Sequence, residues 1–162
     1  MFTESAHTSA SVGLVISAAL IFNYIVATEN IPTQIASLLS AMDLTQFQFL
    51  MVVNVTFLLL GMVLDATTVI LIVVPLLIPA CRELGVDLVH FGIITVVNLM
   101  IGLITPPYGI LLFVINGTTN IPINDIIRNV LPFMVVLIGA LITLTAFPDL
   151  VLYMPRLFGY QG

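Results

Sequence analysis

Asp65 stands inside a long apolar run, GMVLDATTVILIVVPLLIP. If that run lies in lipid, an ionised carboxylate there costs at least about 2.5–3.5 kcal/mol on insertion scales, which makes it a functional candidate by default. The simpler role is a helix N-cap, which contributes about 1 kcal/mol. The two roles are compatible, because a capping carboxylate at a turn also faces the cavity that the turn lines. Thr67 and Thr68 follow, with hydroxyls that either cap or face a ligand. Gly61, four residues earlier, can end the preceding helix. A second group lies in NLMIGLITPPYG. Asn98 and Thr105 are seven residues apart, about two helical turns, and so share a face. Gly102 between them permits close backbone approach. Thr105 and Pro106 sit at a break, where a carbonyl and a hydroxyl can serve as oxygen ligands. Asn98 is equally suited to an interhelical hydrogen bond.

Other chemistries fail for want of partners. An intramembrane aspartyl protease needs two facing aspartates, and Asp149 lies towards the end of its own run. His7 is near the terminus, and His90 opens a segment where an interfacial position is expected, so no serine–histidine dyad forms. Met51, Met62, Met100 and Met134 read as packing or lipid-facing side chains. Cys81 is the single cysteine, which excludes an internal disulfide. The only cations are Arg82, Arg128 and Arg156, and the formal net charge is −5, so the basic footprint of a nucleic-acid binder is missing. The chain is read as no enzyme, with no cofactor.

The elements that must position these residues belong to a membrane protein. Charged residues make up 7% and hydrophobic residues 60% of the 162, against roughly 25% charged in a soluble domain. A spanning helix takes about 20 apolar residues, which leaves room for four or five crossings and little else. No signal peptide is read, since the N-terminus lacks a basic region. The first span is predicted over 11–28, with Asn23 its one strongly polar interior residue, suited to an interhelical hydrogen bond. Residues 31–42 repeat apolar side chains at helical spacing (Ile31, Ile35, Leu38, Leu39, Met42), after Asn30 as a possible cap and with Pro32 near the start. They predict a short amphipathic helix, lying at the interface or packed across other helices.

Residues 47–81 would form about 52 Å of continuous helix, far beyond a hydrocarbon core of about 30 Å. With the break at 61–68, each arm has about 15 residues, or roughly 22 Å. That suits a re-entrant hairpin. Residues 88–116 are broken at Thr105-Pro106-Pro107-Tyr108-Gly109, because proline removes a donor and pushes its predecessor out of the α region. Half-helices are predicted at about 88–103 and 108–116, and a last span over 129–153. The expected fold is all-α: a single membrane domain over 1–162 with polytopic helices, one hairpin and one discontinuous helix. Two polar breaks at membrane depth are tolerated only where they are buried in protein or line a wet cavity. Paired discontinuous helices are how secondary transporters build ion and substrate sites. The rival reading is a non-transporting structural or channel-forming bundle, which accounts for the hydrophobicity but not for both breaks.

The strings GMVLDATTVILIVVPLLIP and VHFGIITVVNLMIGLITPPYGILLFV resemble the large, DctM-type permease subunit of tripartite ATP-independent periplasmic (TRAP) transporters, over residues 8–153. The resemblance implies an elevator-type fold of two inverted repeats, each with a re-entrant hairpin and a broken helix. This chain looks like the second repeat, and so like the C-terminal part of such a subunit, with the N-terminal repeat missing. It further implies coupling of Na⁺ influx to uptake of small carboxylate solutes (dicarboxylates among them) across the bacterial inner membrane. The implied partners are a small membrane subunit and a periplasmic solute-binding protein. Gly61, Asp65, Ala66, Thr67 and Thr68 at the tip, with Asn98, Gly102, Thr105 and Pro106 at the break, then form one ion- and substrate-binding region. Gly61, Asp65, Gly102 and Thr105 are its Na⁺ candidates. The family arrangement opens the hairpin to the periplasm, placing Arg82 and Arg156 outside, whereas counting arginines favours the reverse. No arginine lies within a hydrophobic run to meet a carboxylate.

Overall fold

The computed structural model describes residues 2–40 and 42–160. They form α1 (Phe2–Thr28), α2 (Ile31–Ser40), α3 (Gln46–Val63), α4 (Ala66–Glu83), α5 (Leu88–Gly102), α6 (Ile110–Thr119), α7 (Ile123–Ala146) and α8 (Pro148–Leu157), with no strand among the described residues. The all-α expectation holds. Among the described residues four segments are long and apolar enough to cross a membrane: Ser5–Thr28, Gln46–Val63, Ala66–Glu83 and Ile123–Ala146. Their outer faces carry large apolar side chains that water would not tolerate, among them Leu14 at 73% and Val136 at 70% exposure. Lipid accepts them.

Local chemistry starts the central helices. Thr45 and Gln48 make a reciprocal capping box at the head of α3: Thr45 Oγ1 accepts from the Gln48 amide, and the Gln48 side chain accepts from the Thr45 amide. Asp65 caps α4 and Asp87 caps α5, each accepting two backbone N–H groups. α5 is the centre of the packing. One face of α3 (Phe49, Leu50, Val53, Asn54, Phe57, Gly61) is buried, and α3 packs chiefly on α5. The Phe57 and Phe91 rings meet at 6.3 Å. α7 packs on α5, α3 and α6, while α4 is covered chiefly by α2 and α1.

Several boundaries differ from the sequence reading. α1 begins at Phe2 rather than near residue 11, since backbone hydrogen bonding runs on past the apolar stretch. α2 ends at Ser40; Ala41 lies outside the described residues, and Met42 is exposed. Its buried residue is Ala36, flanked by half-buried Pro32, Ile35 and Leu39, whereas Leu38 faces outward. Asn30 takes a left-handed backbone (φ 55°) instead of the extended geometry of an N-cap. The arms flanking Asp65 have 18 residues each, about 27 Å, because the break narrows to Leu64 and Asp65. The run over 129–153 is not one helix. α7 starts at Ile123 and stops at Ala146 because Pro148 forbids helical geometry at Phe147 (φ −121°, ψ 81°).

Candidate functional site

α3 and α5 run parallel. Near their starts, the Gln46 side chain donates to the Gly85 carbonyl at 2.9 Å, just before α5. Midway, Asn98 Nδ2 donates to the Asn54 carbonyl at 2.8 Å and to Asn54 Oδ1 at 3.0 Å. Near their ends, Gly61 and Gly102 cross backbone to backbone. A Cβ on Gly102 would lie 2.8 Å from both the carbonyl carbon and the Cα of Gly61. Gly61 was expected to end the first arm. It sits inside α3 instead, and its missing side chain serves the crossing.

Both helix breaks lie just beyond this crossing. α3 ends at Val63, and Asp65 then accepts from the Thr67 amide at 2.9 Å and the Thr68 amide at 3.4 Å to start α4. Ala66 is buried, Thr68 half-buried, and Asp65 and Thr67 are exposed. α5 ends at Gly102, and the chain reaches α6 through Thr105, the cis Pro106–Pro107 peptide and Gly109. Thr105 is buried, with Oγ1 donating to the Ile101 carbonyl at 2.7 Å. Its carbonyl accepts the Gly109 amide at 2.9 Å, and the Leu103 carbonyl accepts the Leu111 amide at 3.2 Å. Gly109 is packed so tightly that a Cβ would lie 2.8–2.9 Å from Leu103, Ile104 and Thr105 backbone atoms. It opens α6 without a side-chain cap.

His90 near the start of α5 meets Leu144 near the end of α7 at 2.8 Å.

The structure brings Gly61, Asp65, Gly102, Thr105 and Pro106 to one end of the α3–α5 pair. Asn98 makes the interhelical hydrogen bond that was its alternative role. It is fully buried one turn below the crossing, in a cluster with Asn54 and Thr145, where Asn54 Nδ2 donates to Thr145 Oγ1 at 2.8 Å. Asn98 Oδ1 and Thr95 Oγ1 are buried there without hydrogen-bond partners. The sequence reading missed Asn54, Thr95 and Thr145. Asn54 was findable, because it lies seven residues before Gly61 and so on the same face. His90, near the start of α5, is 1% exposed and bonded to the Leu144 carbonyl at 2.8 Å.

A family model described as "Tripartite ATP-independent periplasmic transporter, DctM component" matches residues 1–150. The chain belongs to this family. It is 39% identical over 156 residues to the C4-dicarboxylate TRAP transporter large permease protein DctM of Pseudomonas aeruginosa, covering 96% of this chain and 36% of that protein. It is 35% identical over 158 residues to the sialic acid TRAP transporter large permease protein SiaM of Vibrio cholerae, covering 97% and 37%. It is also 39% identical over 150 residues to the isethionate TRAP transporter permease protein DctMQ of Oleidesulfovibrio alaskensis, covering 93% and 24%. These relatives are named as permeases, not as enzymes. The chain spans about a third of the first two and about a quarter of the last. With its apolar helices, the family member is a multi-pass membrane protein.

Proposed function

We propose that this chain supplies one hairpin and one broken helix of the ion- and substrate-binding region of a Na⁺-coupled secondary transporter in the bacterial inner membrane. The observation that carries the reading is the Gly61–Gly102 crossing, which sets two interrupted helices side by side. Backbone that leaves helical pairing there needs protein or a wet cavity around it. On this reading α3 and α4 form a re-entrant hairpin whose tip stops at the level of the break. Around the crossing are the Asp65 carboxylate, the Gly61 and Gly102 carbonyls and Thr105, which are oxygen donors of the kind a Na⁺ ion takes. Asn98 Oδ1 is a further unused acceptor one turn away. Ala66 and Pro106 shape the two turns, and Thr67 and Thr68 offer hydroxyls at the tip.

The solute is an organic anion, with a small carboxylate the first candidate. C4-dicarboxylate, sialic acid and isethionate, the compounds in the relatives' names, are all organic acids. Asp65 repels an anion from the start of α4. The start of α6 has no side-chain cap, and a helix N-terminus attracts an anion. The solute would be delivered by a periplasmic binding protein, with a small membrane subunit and the rest of the large subunit completing the assembly.

The test is uptake of labelled C4-dicarboxylate, sialic acid and isethionate into liposomes carrying the complete subunit with its two partners. Uptake of at least one, dependent on an inward Na⁺ gradient and on the binding protein, is the expected result. Uptake unchanged when K⁺ replaces Na⁺ would overturn Na⁺ coupling. Ion or solute flux without the binding protein would favour a channel.

A further inference from the structure

We infer that Asn23 and His90 are replacement hydrogen-bond donors for carbonyls that prolines strand, each latching a proline-interrupted helix to a neighbour. In an α-helix the carbonyl of residue i accepts from the amide of residue i+4. Proline has no amide hydrogen. Pro75 therefore strands the carbonyl of Leu71, and Pro148 strands that of Leu144. Both carbonyls are reached by a side chain from a distant helix. Asn23 Nδ2 of α1 donates to the Leu71 carbonyl at 2.7 Å across 48 positions of sequence. His90 Nε2 of α5 meets the Leu144 carbonyl at 2.8 Å across 54 positions. A carbonyl only accepts, so Nε2 carries the proton in that bond. Water in the hydrocarbon layer is not at hand to do this work.

The surroundings support the assignment. Among the described residues of α1, Ala19 and Val26 are buried and Asn23 half-buried, at i, i+4 and i+7. They form one stripe, and its polar member sits at its centre. Leu71 is six residues, about 9 Å of helix, from Asp65, so the latch holds the arm next to the tip. His90 is almost completely buried at the joint between α7 and α8. Each latch makes two helices one mechanical body, because separating them would return an unpaired carbonyl to the apolar layer. α1 thus moves with the second arm of the hairpin, and α5 with the α7–α8 joint. This inference concerns how the helices are held and does not depend on Na⁺ coupling or on the solute.

The test is a double-mutant cycle in the longest natural reading frame carrying this sequence, in lipid nanodiscs. Pro75→Ala returns a donor to Leu71, and Pro148→Ala lets α7 run on into α8 and returns one to Leu144. Asn23→Leu and His90→Leu should each lower the thermal unfolding midpoint by about 5 °C. In the matching proline-to-alanine background the same substitution should lower it by less than about 2 °C. An equal drop in both backgrounds would show that the side chain acts through packing alone and would overturn the latch. Where a single variant fails to fold, the double variant decides. A folded Asn23→Leu/Pro75→Ala protein supports the inference, and an unfolded one overturns it.

Discussion

At Gly102, the Cβ that any other residue would carry has no room, since it would lie 2.8 Å from two backbone atoms of Gly61. Backbone cannot step aside as a flexible side chain can. Gly102→Ala should destabilise the protein by about 2 kcal/mol or more, as overpacking does. Gly61→Ala should cost less, because its added Cβ would lie at 3.2–3.4 Å. Gly139→Ala, with nothing within 4 Å, should be neutral or slightly stabilising. Thermal unfolding of the three variants in one detergent checks the order. At the other end of the molecule Tyr160 donates to Asp87 Oδ2 at 3.1 Å. Loss of hydration, then the hydrogen bond and the negative charge of Asp87, raise the Tyr160 phenol above its ordinary value. The proton is held more tightly in the folded state. Whatever stability this contact contributes is therefore complete below the unfolded tyrosine value of about 10 and is lost as pH rises through the folded value. The ultraviolet titration difference between the protein and Tyr160→Phe should place this group above that value, and Asp87→Asn should bring it down. A Tyr160 titration unmoved by Asp87→Asn would remove Asp87 as a cause.

For α4 as an element, Asp65 combines a cap and a charge. Asp65→Asn keeps an oxygen for the Thr67 and Thr68 amides, so α4 should keep most of its stability. Asp65→Ala removes the cap at a cost of about 1 kcal/mol. If the carboxylate also serves Na⁺, both variants should raise the Na⁺ concentration for half-maximal uptake in the complete subunit, by at least about tenfold. Unchanged Na⁺ dependence in both would leave Asp65 a cap and nothing more. The cap was legible in the sequence, because an aspartate followed by an apolar helical run is a start signal. The breaks at 106–107 and before 148 were of the same kind, since proline acts on its immediate neighbours. The second was misread because Pro148 was taken to lie near the end of a span, whereas α8 continues for ten residues beyond the break.

Across the whole molecule, the Gln46–Gly85 hydrogen bond holds the start of α3 beside the end of α4, so both ends of the hairpin should face one side of the membrane. With Cys81→Ser as background, Phe47→Cys and Arg82→Cys, both at exposed positions, should label from the same side. Labelling from opposite sides would end the hairpin reading. The chain alone should not transport, because a repeat-built transporter forms its site between repeats and this chain brings one hairpin and one broken helix. Liposomes containing only residues 1–162 with the cognate partners should show no Na⁺-driven uptake, and adding the rest of the subunit should restore it. Uptake by residues 1–162 at the full rate would refute this.

Composition and short-range pattern alone determined that the chain lives in lipid, that it is helical, and that the runs 47–81 and 88–116 are broken. Those are local or averaged properties: apolar runs, proline, and caps within three residues of what they cap. The site was legible to the same extent, as two polar interruptions of the right kinds. Tertiary structure decided which residues meet. It moved Gly61 from a helix end to a crossing, supplied Asn54 as the interhelical partner of Asn98, with Thr145 beside it, and buried His90 against α7. Asn23 and Leu71 are 48 residues apart, and no periodicity of either helix reports the angle at which they pack. That angle follows from side-chain volumes on both surfaces at once. The stranded carbonyl of Leu71 was implicit in Pro75, but its donor had to come from a neighbour that only the fold supplies.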